Sequence, residues 1–265
     1  ATRMYEAFFG LREPPFTTSP SARFVVSRAA QRALIGRLRT LLVDEGCNVA
    51  LTGVAGSGKT TVGMLLARAV PEHVDVTVLE RAPESIRAVL ERLVETPGSG
   101  RPLRELVLRL REQLLRDHRA GRLPVLVIDD AHRLAPAVLQ RLQRLLDARI
   151  RGRRALPVLL LGRHATAGNL ARGEGSFLDL ADREVPMEPL GFSAARDYVR
   201  HKLRAADGDP DLITPAALRL LLRRSRGLPR HLDIACDRAL QTAYLNDSDR
   251  VDVRDVRRAF ADTER

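Results

Sequence analysis

Two rhythms of hydrophobic and polar positions run along the chain. Up to about residue 190, short apolar runs rich in Val, Leu and Ile, bounded by Gly, Pro or charge, alternate with longer amphipathic stretches. The runs at 48–52, 74–79, 124–128 and 157–161, with a weaker one at 184–187, predict five strands. Between them Leu103, Val107, Leu110 and Leu114 recur at helical spacing, and Val138, Leu142, Leu145 and Ile150 mark a second helical face. Strands separated by crossover helices predict a parallel sheet covered on both sides, an α/β fold. Later only helical periodicity remains. Ser193 opens a helix, Asp207-Gly208-Asp209-Pro210 turns the chain, and Thr214-Pro215 reads as an N-cap with a first-turn proline. Gly227 and Pro229 separate two helices, and Asp247-Ser248-Asp249 closes the second of them. The expected organisation is an N-terminal arm at 1–25, an α/β domain at 26–190 and a small all-α domain at 191–265.

Composition narrows the class without changing that outline. A chain of 265 residues with 45% hydrophobic and 4% aromatic side chains can bury an aliphatic core and needs no disulfide framework. Cys47 and Cys236 match no metal or redox spacing and read as reduced structural thiols. The longest apolar runs, such as 156–161, are too short to span a bilayer, and no signal segment opens the chain, so a cytoplasmic protein is expected. The net charge is +11, carried almost wholly by arginine, since only Lys59 and Lys202 are lysine. Between 101 and 154 there are 14 arginines against six acids. Arg149, Arg151, Arg153 and Arg154 gather on a short Gly-containing connector before the fourth strand. Guanidinium forks suit phosphate oxygens, so this cluster reads either as a salt-sensitive, non-specific contact with nucleic acid or as a solvated loop facing an acidic protein. No aromatic interleaves it, so base stacking is not expected.

The most informative stretch follows the first strand: Gly53-Val54-Ala55-Gly56-Ser57-Gly58-Lys59-Thr60-Thr61. Glycines at these intervals let successive backbone N–H groups turn toward phosphate oxygens, and the helix that follows adds its positive end. Lys59 is placed to reach the β- and γ-phosphates of ATP, and the Thr60 hydroxyl to bind Mg²⁺. A compact ammonium is wanted here, and one of the two lysines of an arginine-rich chain supplies it. The metal needs an acid from a neighbouring strand end, and Leu126-Val127-Ile128-Asp129-Asp130 offers one. Asp129 is the metal-shell candidate and Asp130 the candidate to polarise an attacking water. The alternative for both is helix capping ahead of His132-Arg133-Leu134.

These residues resemble an AAA+ ATPase, within that class the general secretion pathway A (ExeA-like) ATPases, and more distantly the MuB and TnsC type of transposition ATPase. The resemblance is carried by Met4-Tyr5-Glu6-Ala7-Phe8-Phe9-Gly10-Leu11-Arg12-Glu13-Pro14-Pro15-Phe16, the phosphate loop, the Asp129-Asp130 strand, and Gly227-Leu228-Pro229-Arg230-His231-Leu232 followed by Cys236-Asp237-Arg238-Ala239-Leu240. It implies a five-stranded parallel sheet sandwiched by helices, a helical lid, and Mg-ATP held between them. It also implies a homo-oligomeric ring or filament. The partner is then a protein of a secretion system or, in the transposition type, duplex DNA. Carried over by residue, Arg230 stands where the lid arginine touches the γ-phosphate; its alternative is pairing with Asp233 or Asp237 along its own helix. Arg183 stands where the family presents an arginine to the neighbouring subunit's nucleotide; otherwise it is one of many surface arginines. Two departures imply slow turnover. Asp130 replaces the usual Glu, and Gly162-Arg163-His164 occupies the place of the polar sensor after the fourth strand, leaving Arg163 as the nominee. The aromatics Tyr5, Phe8, Phe9 and Phe16 are expected to pack by the nucleotide base and lid hinge, or simply to staple the arm to a core.

Overall fold

A computed structural model of the protein describes residues 5–17, 29–95, 100–163 and 175–261. Among these residues the strands are β1 (Val49–Thr52), β2 (Val74–Leu79), β3 (Leu123–Ile128), β4 (Arg149–Ile150), β5 (Arg153–Arg154), β6 (Val158–Gly162) and β7 (Arg183–Pro186). Five of them form one sheet in the order β2-β3-β6-β1-β7, and every pairing in it is parallel. The expected strands are present, shifted by a residue or so at their ends.

The sheet works because period-two alternation feeds two separate cores. Ala50, Leu126, Ile128, Val158 and Leu160 enter one, with α4 (Ile86–Leu93), α5 (Leu103–Arg119) and α6 (Pro136–Leu146). Val49, Leu51, Val125, Val127, Leu159 and Leu161 enter the other, with α2 (Ala29–Arg39) and α3 (Lys59–Ala69). Each fully buried Leu, Ile or Val contributes about 1.5–3 kcal/mol, which is why the central strands read as unbroken apolar runs. Gly162 ends β6 under an aromatic ring: a Cβ there would collide with the Phe177 ring, so a larger residue would drive the ring out of the core.

One expectation fails between α6 and β6. Ile150 does not continue the face of Val138 and Leu142, because α6 ends at Leu146 and the chain turns into the antiparallel β4–β5 hairpin. Arg151 (φ 53°) and Gly152 (φ 80°) both take left-handed conformations, the geometry a two-residue hairpin loop requires. The connector with four arginines is therefore a β-hairpin.

Two compact units divide the chain, one formed by residues 33–55 and 59–187, the other by 1–32, 56–58 and 188–265. The second contains α1 (Tyr5–Phe8), α7 (Phe192–Ala205), α8 (Pro215–Ser225), α9 (Pro229–Leu245) and α10 (Val253–Ala259). Its core includes Tyr198, Leu203, Leu218, Leu221, Leu232 and Leu240, together with Tyr5, Leu11 and Phe16 of the N-terminal segment. Tyr5 and Phe16 thus belong to the helical core, with Phe9 packed against it and Phe8 exposed, and Tyr5 is locked by its hydroxyl, which donates to Asp237 Oδ1 at 2.7 Å. Thr214 caps α8 through a bond from the Ala217 N–H, with Pro215 in the first turn, as its sequence signature predicts. The expected start at Ser193 moves back to Phe192, with Gly191 as N-cap. Lys202 donates to Asp233 Oδ2 at 2.7 Å inside this core, while the Tyr198 hydroxyl donates to the same carboxylate at 2.9 Å. Burial pushes the Asp233 carboxyl above its ordinary pKa, with Lys202 and Tyr198 opposing.

Candidate functional site

The phosphate loop leaves the carboxyl end of β1 and runs into the first turn of α3. Gly53 N–H donates to Gly162 O at 3.2 Å, tying the start of the loop to the end of β6. Gly56 (φ 79°) and Gly58 (φ 97°) take the left-handed conformations that curl the backbone. Ser57 is buried, whereas Val54 and Ala55 are exposed at the loop's outer bend. Lys59 lies across the curl, its ammonium donating to Gly53 O at 2.9 Å and Val54 O at 3.0 Å. Burial lowers the Lys59 pKa and Arg163 adds to that, while Asp129 and Asp130 pull it up. Thr60 and Thr61 follow in the first turn of α3.

Asp129 ends β3 and is buried at 8% exposure, so its charge must be answered locally. Thr60 Oγ1 donates to Asp129 Oδ2 at 2.6 Å, and the Asp130 N–H donates to Asp129 Oδ1 at 2.7 Å. A hydroxyl and a carboxylate, both hard oxygen donors, therefore meet beside Lys59. Among the described residues no cluster of three or more His, Cys, Asp or Glu could cage a metal by itself. The pair instead suits Mg²⁺, which keeps several waters and takes further oxygens from phosphates. Asp130 itself adopts the left-handed conformation (φ 52°, ψ 31°) at the start of a 3₁₀ turn, so its side chain does not cap that turn. The capping alternative is thereby answered for Asp130. His132, two residues on, has its Nδ1 buried without a hydrogen-bond partner among the described residues. Its pKa is lowered by burial, against the pull of nearby Asp130. Arg163 acts electrostatically on both Lys59 and His132, which brings the nominated sensor residue to this end of the sheet; His164 lies outside the described residues.

Within the helical unit, Arg230, the second residue of α9, lies against Gly56. Its N–H donates to Gly56 O at 3.3 Å, and a Cβ on Gly56 would lie 3.1 Å from Arg230 Cβ. The alternative of pairing along its own helix is not realised: Asp233 is taken by Lys202 and Tyr198, and among the described residues Arg230 makes no ion pair. The sequence had given no hint that Lys202 would be the partner of Asp233.

Arg183 is the first residue of β7 and pairs in register with Val49, at the amino edge of the sheet. Gly53 leaves the opposite edge, so the length of β1, about 10 Å at 3.3 Å per residue, lies between the Arg183 backbone and the loop. The Arg183 side chain is exposed, with Nη1 donating to Asp182 O at 3.0 Å.

The arginine cluster is split by the hairpin. Arg149, Arg151 and Arg153 are exposed, but Arg154 points inward at 9% exposure and forks onto Asp182, Nε to Oδ2 at 2.9 Å and Nη2 to Oδ1 at 2.7 Å. Arg154 is therefore an internal ion-pair partner and leaves the anion-contact set. Linear spacing hid this, because Asp182 is 28 residues away. The one available signal was the alternation of Arg153 and Arg154 just ahead of the apolar Ala155-Leu156.

A phosphate loop between β1 and α3, an acid at the end of β3, and a parallel sheet in the order β2-β3-β6-β1-β7 with a helical unit define a P-loop NTPase of the AAA+ class. Residues 43–169 match the family model described as AAA domain, and the fold is of that kind. It is 31% identical over 255 residues to general secretion pathway protein A of Aeromonas hydrophila, covering 94% of this chain and 46% of that protein. The chain thus spans less than half the length of this relative. In fold it is similar to Cdc6p from Pyrobaculum aerophilum, at a TM-score of 0.66 and 20% identity, over 92% of this chain and 70% of that one. It is likewise similar to the ORC1 protein of Aeropyrum pernix, solved in complex with DNA, at a TM-score of 0.62 and 19% identity, over 95% and 70%. Among the described residues no helix is long and apolar enough to cross a membrane.

Proposed function

We propose that the chain is a Mg²⁺-dependent ATPase of the general secretion pathway A type, whose nucleotide state controls a homo-oligomeric assembly acting on a protein partner in the cytoplasm. The single observation that carries this is the Thr60–Asp129 contact at 2.6 Å, which joins the first turn of α3 to the end of β3, next to a Lys59 ammonium held over the loop's own carbonyls. When bound, Mg²⁺ supplies charge neutralisation on the phosphate oxygens. Thr60 and Asp129 hold it, the curl of Gly53, Ala55, Gly56, Ser57, Gly58 and Thr61 offers N–H groups to phosphate, and Lys59 adds a point charge. Asp130 orients the attacking water and accepts its proton. Arg230, seated on Gly56, reports the γ-phosphate to the helical unit. Arg183 lies at the far edge from its own loop, which favours action on a neighbouring subunit and makes hydrolysis depend on assembly. Turnover is slow, because Asp130 is one methylene shorter than Glu and reaches the water less well.

Asp130→Asn tests the switch. The variant keeps ATP binding and loses turnover by about 10²–10⁴-fold, the range for removing a general base, so it should persist as an ATP-trapped oligomer in size-exclusion chromatography with light scattering. Normal turnover would remove Asp130 from its role.

The exposed Arg149, Arg151 and Arg153 favour a second reading, in which the assembly forms on duplex DNA in the manner of the transposition ATPases. Fluorescence anisotropy on a duplex, with and without ATP, separates the two. Phosphate contacts make log K fall linearly with log salt, by about 0.9 per contact, and replacing the three arginines by Ala should flatten that slope. Absent binding at low salt removes the DNA reading and leaves the secretion-type one.

A further inference from the structure

Ion pairs withdrawn from water cost desolvation and are weak evidence for stability alone, so one that occupies a sheet edge calls for an account. Here the pair is Arg154–Asp182, with side chains 10% and 34% exposed. Arg154 also donates from Nη1 to Leu146 O at 2.8 Å. Asp182 accepts the Asn48 N–H at 2.7 Å, and the Asn48 carbonyl accepts from both the Asp182 and Arg183 N–H groups, at 2.8 and 3.2 Å. Asn48 is 1% exposed; its side chain donates to Leu180 O at 3.0 Å and accepts from Val158 N–H at 3.2 Å. One network therefore fixes residues 180–183 to the starts of β1 and β6 and to the base of the hairpin.

We propose that Arg154, with Asp182 and Asn48, is a positioning residue that holds Arg183 at the angle needed to reach a neighbouring subunit's phosphate. This rests on the reading of Arg183 as an arginine supplied in trans. Such an arginine must arrive at a charge on another chain, so errors in its anchoring are magnified along a long side chain, and an ångström of misplacement costs about 100-fold in rate. Everything else about Arg183 is loosely held: its guanidinium is exposed and bonded to one backbone carbonyl. The fork explains why position 154 carries Arg. A lysine keeps the charge but makes a single contact, so the two-point hold on Asp182 is lost and the strand is freer to rotate.

The test compares Arg154→Met, Arg154→Lys and Arg183→Ala for Mg-ATP affinity and for kcat under assembling conditions. Arg154→Met should bind Mg-ATP as the parent does yet lose kcat by about 100-fold, and Arg154→Lys should lose about tenfold. Each is then mixed with Asp130→Asn subunits, which keep an intact Arg183 but cannot turn over. Mixed assemblies should regain activity as the Asp130→Asn fraction rises, because Arg183 is then supplied to sites that are otherwise whole. A merely structural role would give no such recovery, and its absence overturns the proposal. Full turnover in both Arg154 variants beside an impaired Arg183→Ala overturns the positioning role alone. Full turnover in Arg183→Ala overturns the trans reading together with it. Should Arg154→Met melt early, Arg154→Lys carries the comparison, and full kcat in it is then decisive against the proposal.

Discussion

Replacing Lys59 with Ala is expected to abolish measurable nucleotide binding while leaving the fold intact. The ammonium lies over the loop's own carbonyls, at 2.9 and 3.0 Å, so it already sits where a polyphosphate would meet the curl. Its pKa is held down by burial, a cost that a bound polyanion would reverse, so nucleotide and Lys59 charge favour one another. Charge-assisted hydrogen bonds are worth about 1.5–3 kcal/mol each. Losing two of them weakens affinity by about 10²–10⁴-fold. A fluorescent ATP analogue, titrated with and without Mg²⁺, reads this directly. Lys59→Arg should not rescue, because a planar fork cannot enter a curl shaped around a point charge. Melting temperature should be near the parental value, since no core contact is removed. A Lys59→Ala protein that still bound Mg-ATP would displace the nucleotide from the loop.

Arg183→Ala carries the second large effect, on rate and not on affinity. An arginine supplied in trans is worth about 10³–10⁵ in kcat. Because Arg183 begins β7 at the edge of the sheet opposite the loop, its loss should leave each subunit's nucleotide affinity unchanged. The signature is thus a kcat deficit of about 10³-fold or more at unchanged Kd, measured at protein concentrations where the oligomer forms. Hydrolysis by the parent should correspondingly rise more than linearly with protein concentration. Linear dependence, or an affinity defect in Arg183→Ala, would return this side chain to the ordinary surface arginines.

Local chemistry was legible wherever a residue's role depends on neighbours close in the chain. The loop 53–61, the strands and the Thr214-Pro215 start of α8 were of this kind, because backbone curl, strand alternation and capping act over a few residues. Ile150 was misplaced for the opposite reason: helical spacing persisted past Leu146, while the left-handed pair Arg151 and Gly152 turned the chain into a hairpin. The Arg149–Arg154 cluster looked uniform in one dimension. A strand alternates its faces, so the hairpin exposed Arg153 and buried Arg154 against an acid far along the chain.

By itself the sequence determined that a parallel α/β sheet carries a phosphate loop at the end of its first strand, followed by helices, since period-two and period-3.6 patterns and glycine spacing are properties of short segments. Only the tertiary structure decided which polar and charged groups meet. Asp129 with Thr60, Lys202 with Asp233, Tyr5 with Asp237 and Arg154 with Asp182 are separated by 69, 31, 232 and 28 positions. Folding brings each pair within hydrogen-bond distance, with at least one partner of each buried. The need to pair a buried polar group selects partners in space, and the order of residues along the chain does not encode it locally.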